Sequence, residues 1–240
     1  MRNRWVVAWF GIPAVAWVLM WATACSAQPV PFAAPTSTTA IVAVHGGGWY
    51  GGTPASMDKV CDALAPALGV DCFQPSYTLS GVAPFSRQLQ DLRDYALGLR
   101  AQGYTTLIGV GSSAGGNLVG LMASHGYLDL AVTLSAPSQL VVLEDWHRAS
   151  CSCWVVDQYA PTAGKKENAS PALDGVSIPI LIIHSANEPL IPVKQAWYLR
   201  TASPQGQRIT LSGDRHGMAY WADVSDDIIT WLSPQLPTAG

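Results

Sequence analysis

Residues 106–125 read TLIGVGSSAGGNLVGLMASH, and the fold is decided there. Thr106–Val110 is a short β-branched and apolar run, of strand length and composition. Ala114–His125 is apolar and long enough to be a helix. Between the two, Gly111-Ser112-Ser113-Ala114-Gly115 fits the pattern G-x-S-x-G. A strand that turns sharply into a helix needs glycines on both sides of the central serine, because larger side chains would collide with the strained backbone. Such a turn exposes the Ser113 hydroxyl and aims the N-terminus of the next helix at it. In a chain with 22 glycines the motif alone is weak, and a glycine-rich turn of a nucleotide-binding fold would read similarly. Its place between strand and helix makes Ser113 a candidate nucleophile.

Outward from this stretch, short apolar runs alternate with longer amphipathic ones. Strands are expected at Ala40–Val44, Cys72–Gln74, Thr106–Val110, Leu130–Leu134, Ile178–His184 and Arg208–Leu211. Helices are expected at Ser56–Leu68, Phe85–Arg100, Ala114–His125, Val193–Ala202 and Tyr220–Leu232. In the second of these, Leu89, Leu92, Tyr95, Ala96 and Leu99 share one face at helical spacing. Strands alternating with helices imply an α/β fold, a mostly parallel sheet covered on both faces. Active sites in such sheets lie beyond the carboxyl ends of the strands. The connection from Ser135 to Ser177 is long, shows no strongly periodic helix, and carries Trp146, His147, Trp154 and Tyr159. Long connections in compact domains are commonly lids or binding loops, so residues 136–177 are read as a small cap.

A second motif, His45-Gly46-Gly47-Gly48-Trp49, directly follows the first expected strand. Three consecutive glycines leave backbone amides unshielded by side chains. With the amide of Ala114, those of Gly46 and Gly47 would form an oxyanion hole in an acyl-transfer enzyme. A phosphate-cradling loop would want a following Lys and Ser/Thr, which are absent here. Trp49, Trp146 and Trp154 are candidates for an apolar substrate pocket, against the alternative that each packs in the core.

The glycine loop followed by Gly-x-Ser-x-Gly resembles the bacterial carboxylesterases of the α/β-hydrolase superfamily, over about residues 40 to 232. Similar groups are feruloyl and acetylxylan esterases, kynurenine formamidase and the hormone-sensitive lipase group. Pro75-Ser76-Tyr77, Gln90-Asp91 and Ala169-Ser170-Pro171 add to the likeness. The resemblance implies the α/β-hydrolase fold and an acid after a late strand, in a segment like HG-x-x-D-x-x-V-P. Here that segment reads His184-Ser185-Ala186-Asn187-Glu188-Pro189-Leu190-Ile191-Pro192. Glu188 therefore stands where the family has aspartate, and the loop must absorb a methylene. Asp157 and Asp145 in the cap are alternatives. His216, in Gly213-Asp214-Arg215-His216-Gly217 after the last strand, completes the order Ser, acid, His. His45 belongs to the glycine loop, His184 ends a buried strand, and His125 and His147 read as surface or packing residues.

The expected activity is a serine carboxylesterase acting on short to medium acyl esters. An amide hydrolase such as an arylformamidase or peptidase would use the same groups. An exported envelope or binding protein that kept the fold without the activity is a reading of another class. No HExxH or DxDxDG motif is present, and no GxGxxG accompanies a dinucleotide site, so neither metal nor cofactor is expected. Net charge is −3 and charged residues make up 12% of the 240-residue chain; without a basic stripe, nucleic acid is not an expected partner.

The start of the chain has its own logic. Arg2 and Arg4 precede an apolar stretch from Trp5 to Trp21 and the small residues Ala22-Thr23-Ala24-Cys25-Ser26-Ala27. This is the pattern of an export signal over residues 1–27, with an uncleaved membrane anchor as the alternative. Ala22–Cys25 resembles a bacterial lipobox, which would attach lipid to Cys25; ordinary cleavage after Ala24 or Ala27 fits as well. Residues 28–39 read as a linker and 40–240 as the catalytic domain. In an exported chain, Cys61, Cys72, Cys151 and Cys153 suggest disulfides. A bridge between Cys61 and Cys72 is geometrically easy, while Cys151 and Cys153 could pair together or elsewhere.

Overall fold

The computed structural model describes residues 37–150 and 154–237. The expected signal, Cys25, residues 28–36 of the linker, Cys151 and Cys153 lie outside the described residues.

The strands are β1 (Thr39–Val44), β2 (Asp71–Phe73), β3 (Thr106–Ser112), β4 (Leu130–Leu134), β5 (Ile180–Ser185) and β6 (Gly206–Leu211). They form one sheet in the order β2-β1-β3-β4-β5-β6, every neighbour pair parallel. This is the expected α/β architecture. Among the described residues no antiparallel strand precedes β1.

The period of two along each strand sorts the core into two layers. Ala40, Val42 and Val44 of β1 face α2 (Arg87–Ala101), α3 (Ala114–Ser124) and α8 (Lys194–Thr201). Ile41 and Ala43, with Val110, Leu134 and Ile183, face α1 (Asp58–Leu68) and α9 (Trp221–Leu232). Burial on both faces explains the nearly continuous apolar strand sequences. Cys61 and Cys72 form a disulfide that ties α1 to β2, with Cα atoms 5.4 Å apart.

The register aligns the carboxyl ends. Val44 pairs with Gly111, Ser112 with Leu134, and Ser185 with Leu211. Beyond the ladders, Ser113 N–H donates to Leu134 O (2.8 Å), Ser135 N–H to Ile183 O (2.9 Å) and Asn187 N–H to Gly213 O (2.9 Å). The segments starting at His45, Ser113, Ser135, Ala186 and Ser212 therefore leave the sheet at one edge.

The 136–177 connection departs from expectation. It contains α4 (Leu140–Ser150), α5 (Trp154–Tyr159), α6 (Lys165–Asn168) and α7 (Pro171–Asp174). The last two are single turns, too short for a 3.6-residue period to register. Tertiary contacts hold them instead: Lys166 salt-bridges to buried Glu144 and, at 2.8 Å, to Asp157. Ser170 Oγ accepts from Leu140 N–H (2.8 Å) and donates to Lys166 O (2.5 Å).

Candidate active site

Ser113 sits between β3 and α3 with φ 55° and ψ −123°, a strained region for a side-chain-bearing residue. The flanking glycines permit it. A Cβ on Gly115 would run into the carbonyls of Val44 and His45. On Gly46 it would meet Ser112 O at 2.8 Å and Ser113 Cβ at 3.1 Å. The glycine loop and the serine turn thus approach at backbone distance, which no larger residue allows.

The carbonyls of the glycine loop are engaged from behind. His45 Nδ1–H donates to Gly46 O (2.8 Å), Gly51 N–H to Gly47 O (2.9 Å) and Ser80 N–H to Trp49 O (2.8 Å). Tyr77 stacks on the His45 ring at 4.3 Å and its hydroxyl donates to His45 O (3.0 Å). Burial pushes the His45 imidazole pKa down, partly offset by its bond to Gly46, so the ring serves as a neutral prop.

At the other side, His216 Nδ1 lies 2.5 Å from Glu188 Oε1. Glu188 is buried, and Oε1 also accepts from Ile191 N–H (2.8 Å). Desolvation pushes the Glu188 carboxyl upward, but contacts with His184 and His216 and the Ser135 hydroxyl outweigh it and hold the pKa down at about 2. Ser135 carries φ 50°; its Oγ accepts from Gly217 N–H (3.0 Å) and lies 2.9 Å from Tyr220 Oη. Tyr220 in turn donates to Ile183 O (3.0 Å). This polar set fixes the His216 loop against the sheet.

Ser113, Ala114, Gly46, Gly47 and His216 line one cavity of about 550 Å³. Its other walls are largely apolar: Trp49, Tyr50, Leu143, Val155, Val156, Leu190, Ile191 and Met218. Among the described residues, no Asp, Glu, Lys or Arg lines it. Among the described residues no three His, Cys, Asp or Glu side chains cluster as a metal site would require.

Several expectations need correction. Trp146 and Trp154 are partly exposed and do not line the cavity. Their helices turn neighbouring residues inward instead: Leu143 and His147, four apart on α4, and Val155 and Val156 on α5. Trp154 packs on Tyr50 at 5.3 Å. Trp49 is both wall and core, stacked on Tyr159 at 4.2 Å. Of the two readings of His147, surface or packing, burial favours packing, and the residue also lines the cavity; burial lowers its pKa against a bond to the Leu190 backbone. As for the alternative acids, Asp157 pairs with Lys166 and Asp145 is exposed, so Glu188 is the carboxylate that meets His216.

Asn117, one turn into α3, escaped the sequence reading. Its amide donates to Pro137 O (3.1 Å) and Ala169 O (2.9 Å). Its oxygen accepts from Trp49 Nε1 (3.3 Å) and Tyr159 Oη (3.4 Å). One buried amide so joins the serine helix, the glycine loop and the cap. The available signal was a polar residue within an otherwise apolar helix.

A family model described as alpha/beta hydrolase fold matches residues 41–218. The chain belongs to this family. Within it, the chain is 31% identical over 142 residues to hormone-sensitive lipase of Mus musculus, a match covering 49% of this α/β hydrolase and 18% of the lipase. Solved structures share the fold. The acetyl ester-xyloside bifunctional hydrolase of Caldicellulosiruptor lactoaceticus superposes with a TM-score of 0.71 at 16% identity, covering 82% of this chain and 83% of that one. The hyperthermophilic esterase of Pyrobaculum calidifontis does so at 0.69 and 22%, covering 82% and 77%. A thermophilic esterase of Thermogutta terrifontis reaches 0.69 at 16%, covering 89% and 90%.

Proposed function

We propose that this α/β hydrolase is a serine carboxylesterase for uncharged esters with short to medium acyl chains. One observation carries the reading. Ser113, on a strained turn, shares a cavity with the glycine loop and with a histidine whose Nδ1 meets a buried carboxylate at 2.5 Å.

In the proposed reaction His216 takes the Ser113 proton as the hydroxyl attacks the ester carbonyl. The Gly46, Gly47 and Ala114 amides receive the oxyanion, each donor contributing about 3 kcal/mol to transition-state stabilisation. Glu188 holds the histidine tautomer and stabilises the imidazolium. His216 then returns the proton to the leaving alcohol, and water releases the acyl group from Ser113. The uncharged, apolar walls supply binding energy for an acyl chain. The names of the similar proteins, a lipase and esterases, support the same chemistry.

The test is hydrolysis of p-nitrophenyl acetate and butyrate by the domain, beside Ser113→Ala and Glu188→Ala. Turnover lost with Ser113→Ala and sharply reduced with Glu188→Ala is the expected result. Folded protein without turnover on these esters or on an arylformamide would instead support a non-catalytic role. Export through residues 1–27, with lipid on Cys25, is the accompanying proposal for location; a Cys25→Ser variant released from the membrane fraction would support the lipid.

A further inference from the structure

We infer that His184, at the end of β5, is a positioning residue that fits a glutamate into the acid position of this site. The inference rests on the Ser113–His216–Glu188 reading. A glutamate has one more rotatable bond than an aspartate, and its freedom must be removed for one oxygen to stay on His216.

The structure removes it with a closed ring of contacts. Ile191 N–H donates to Glu188 Oε1 (2.8 Å), beside the bond from His216. Ile191 O accepts from His184 Nε2–H (2.7 Å). The same Nε2 lies 3.1 Å from Glu188 Oε2. Its N–H thus sits between the carbonyl, the better aligned partner, and the carboxylate oxygen. His184 Nδ1 has no partner among the described residues, which places the ring proton on Nε2. Both side chains are fully shielded from solvent. His184 therefore braces the 188–191 turn from its far end and also faces the oxygen that His216 leaves unused. The four-residue spacing of His184 and Glu188 makes the device local.

Replacing His184 by Gln keeps an N–H donor where Nε2 stands, with a second hydrogen for Oε2; Asn is too short to reach. Expected for His184→Asn is a kcat on p-nitrophenyl butyrate lower by about tenfold, the low end for a bond to a charged group, with KM within about twofold because no substrate contact is lost. His184→Gln should recover most of the loss. A reading independent of turnover is the downfield proton NMR signal of His216 Nδ1–H, recorded in Ser113→Ala protein. It should shift upfield or broaden with His184→Asn and return with Gln. Unchanged kcat and an unchanged signal with Asn would overturn the inference. So would equal losses in Asn and Gln proteins that unfold at the wild-type temperature. If wild type does not turn over, the esterase reading fails, and the NMR comparison still decides the role of His184.

Discussion

Glu188→Gln removes one charge from the site and nothing else of comparable size. The carboxyl is fully shielded from solvent, and folding lowers its pKa from 4.5 to about 2. At about 1.4 kcal/mol per tenfold change in proton affinity, the ionised form gains about 3 kcal/mol on folding. Because the pKa is lowered, this contribution is complete above 4.5, the unfolded value, and is lost as pH falls from there through about 2. Urea unfolding of wild type and variant should therefore differ by about 3 kcal/mol at pH 7, with about 2 kcal/mol of that gap gone by pH 3. Other carboxylates titrate over the same range, but they are common to both proteins and cancel in the difference. At neutral pH, kcat/KM should fall on the order of 10³- to 10⁴-fold, since the amide neither stabilises the imidazolium nor enforces its tautomer. A stability gap that stays constant between pH 7 and pH 3 would refute the argument that contacts from His184, His216 and Ser135 overcome the burial of the charge.

Gly46→Ala puts a methyl 2.8 Å from Ser112 O, so the amide must move; kcat should fall about 100-fold, while KM for p-nitrophenyl acetate changes little. Val155→Trp fills part of the cavity and should lower the butyrate-to-acetate ratio of kcat/KM, whereas Trp154→Ala, outside the cavity, should leave that ratio unchanged. Breaking the Cys61–Cys72 bridge, whose partners are 11 residues apart, should cost about 3 kcal/mol of unfolding free energy in the chain-entropy account. Urea denaturation with and without reductant measures it.

Much of this was legible in the chain because it is local. Apolar runs define all six strands to within two residues at either end; in the four inner strands burial on both faces leaves few polar residues to blur them. Gly111 to Gly115 and His45 to Trp49 announce themselves because sharp turns and close backbone approach tolerate few residue types. Glu188 and His216 could be placed only by their order after late strands. Their meeting at 2.5 Å depends on the parallel pairing of β5 with β6, a contact between residues 28 apart.

The layered sheet, the serine turn and the glycine loop are each written in the steric demands of adjacent residues. Tertiary structure decided which way the cap side chains face, and so exchanged Trp146 and Trp154 for Leu143, His147, Val155 and Val156 in the cavity wall. It also decided the partners of Asn117, His184 and Ser135, whose bonds reach groups on other elements or across a turn. A buried polar group must be satisfied wherever the fold brings a partner, and composition and spacing do not encode where that is.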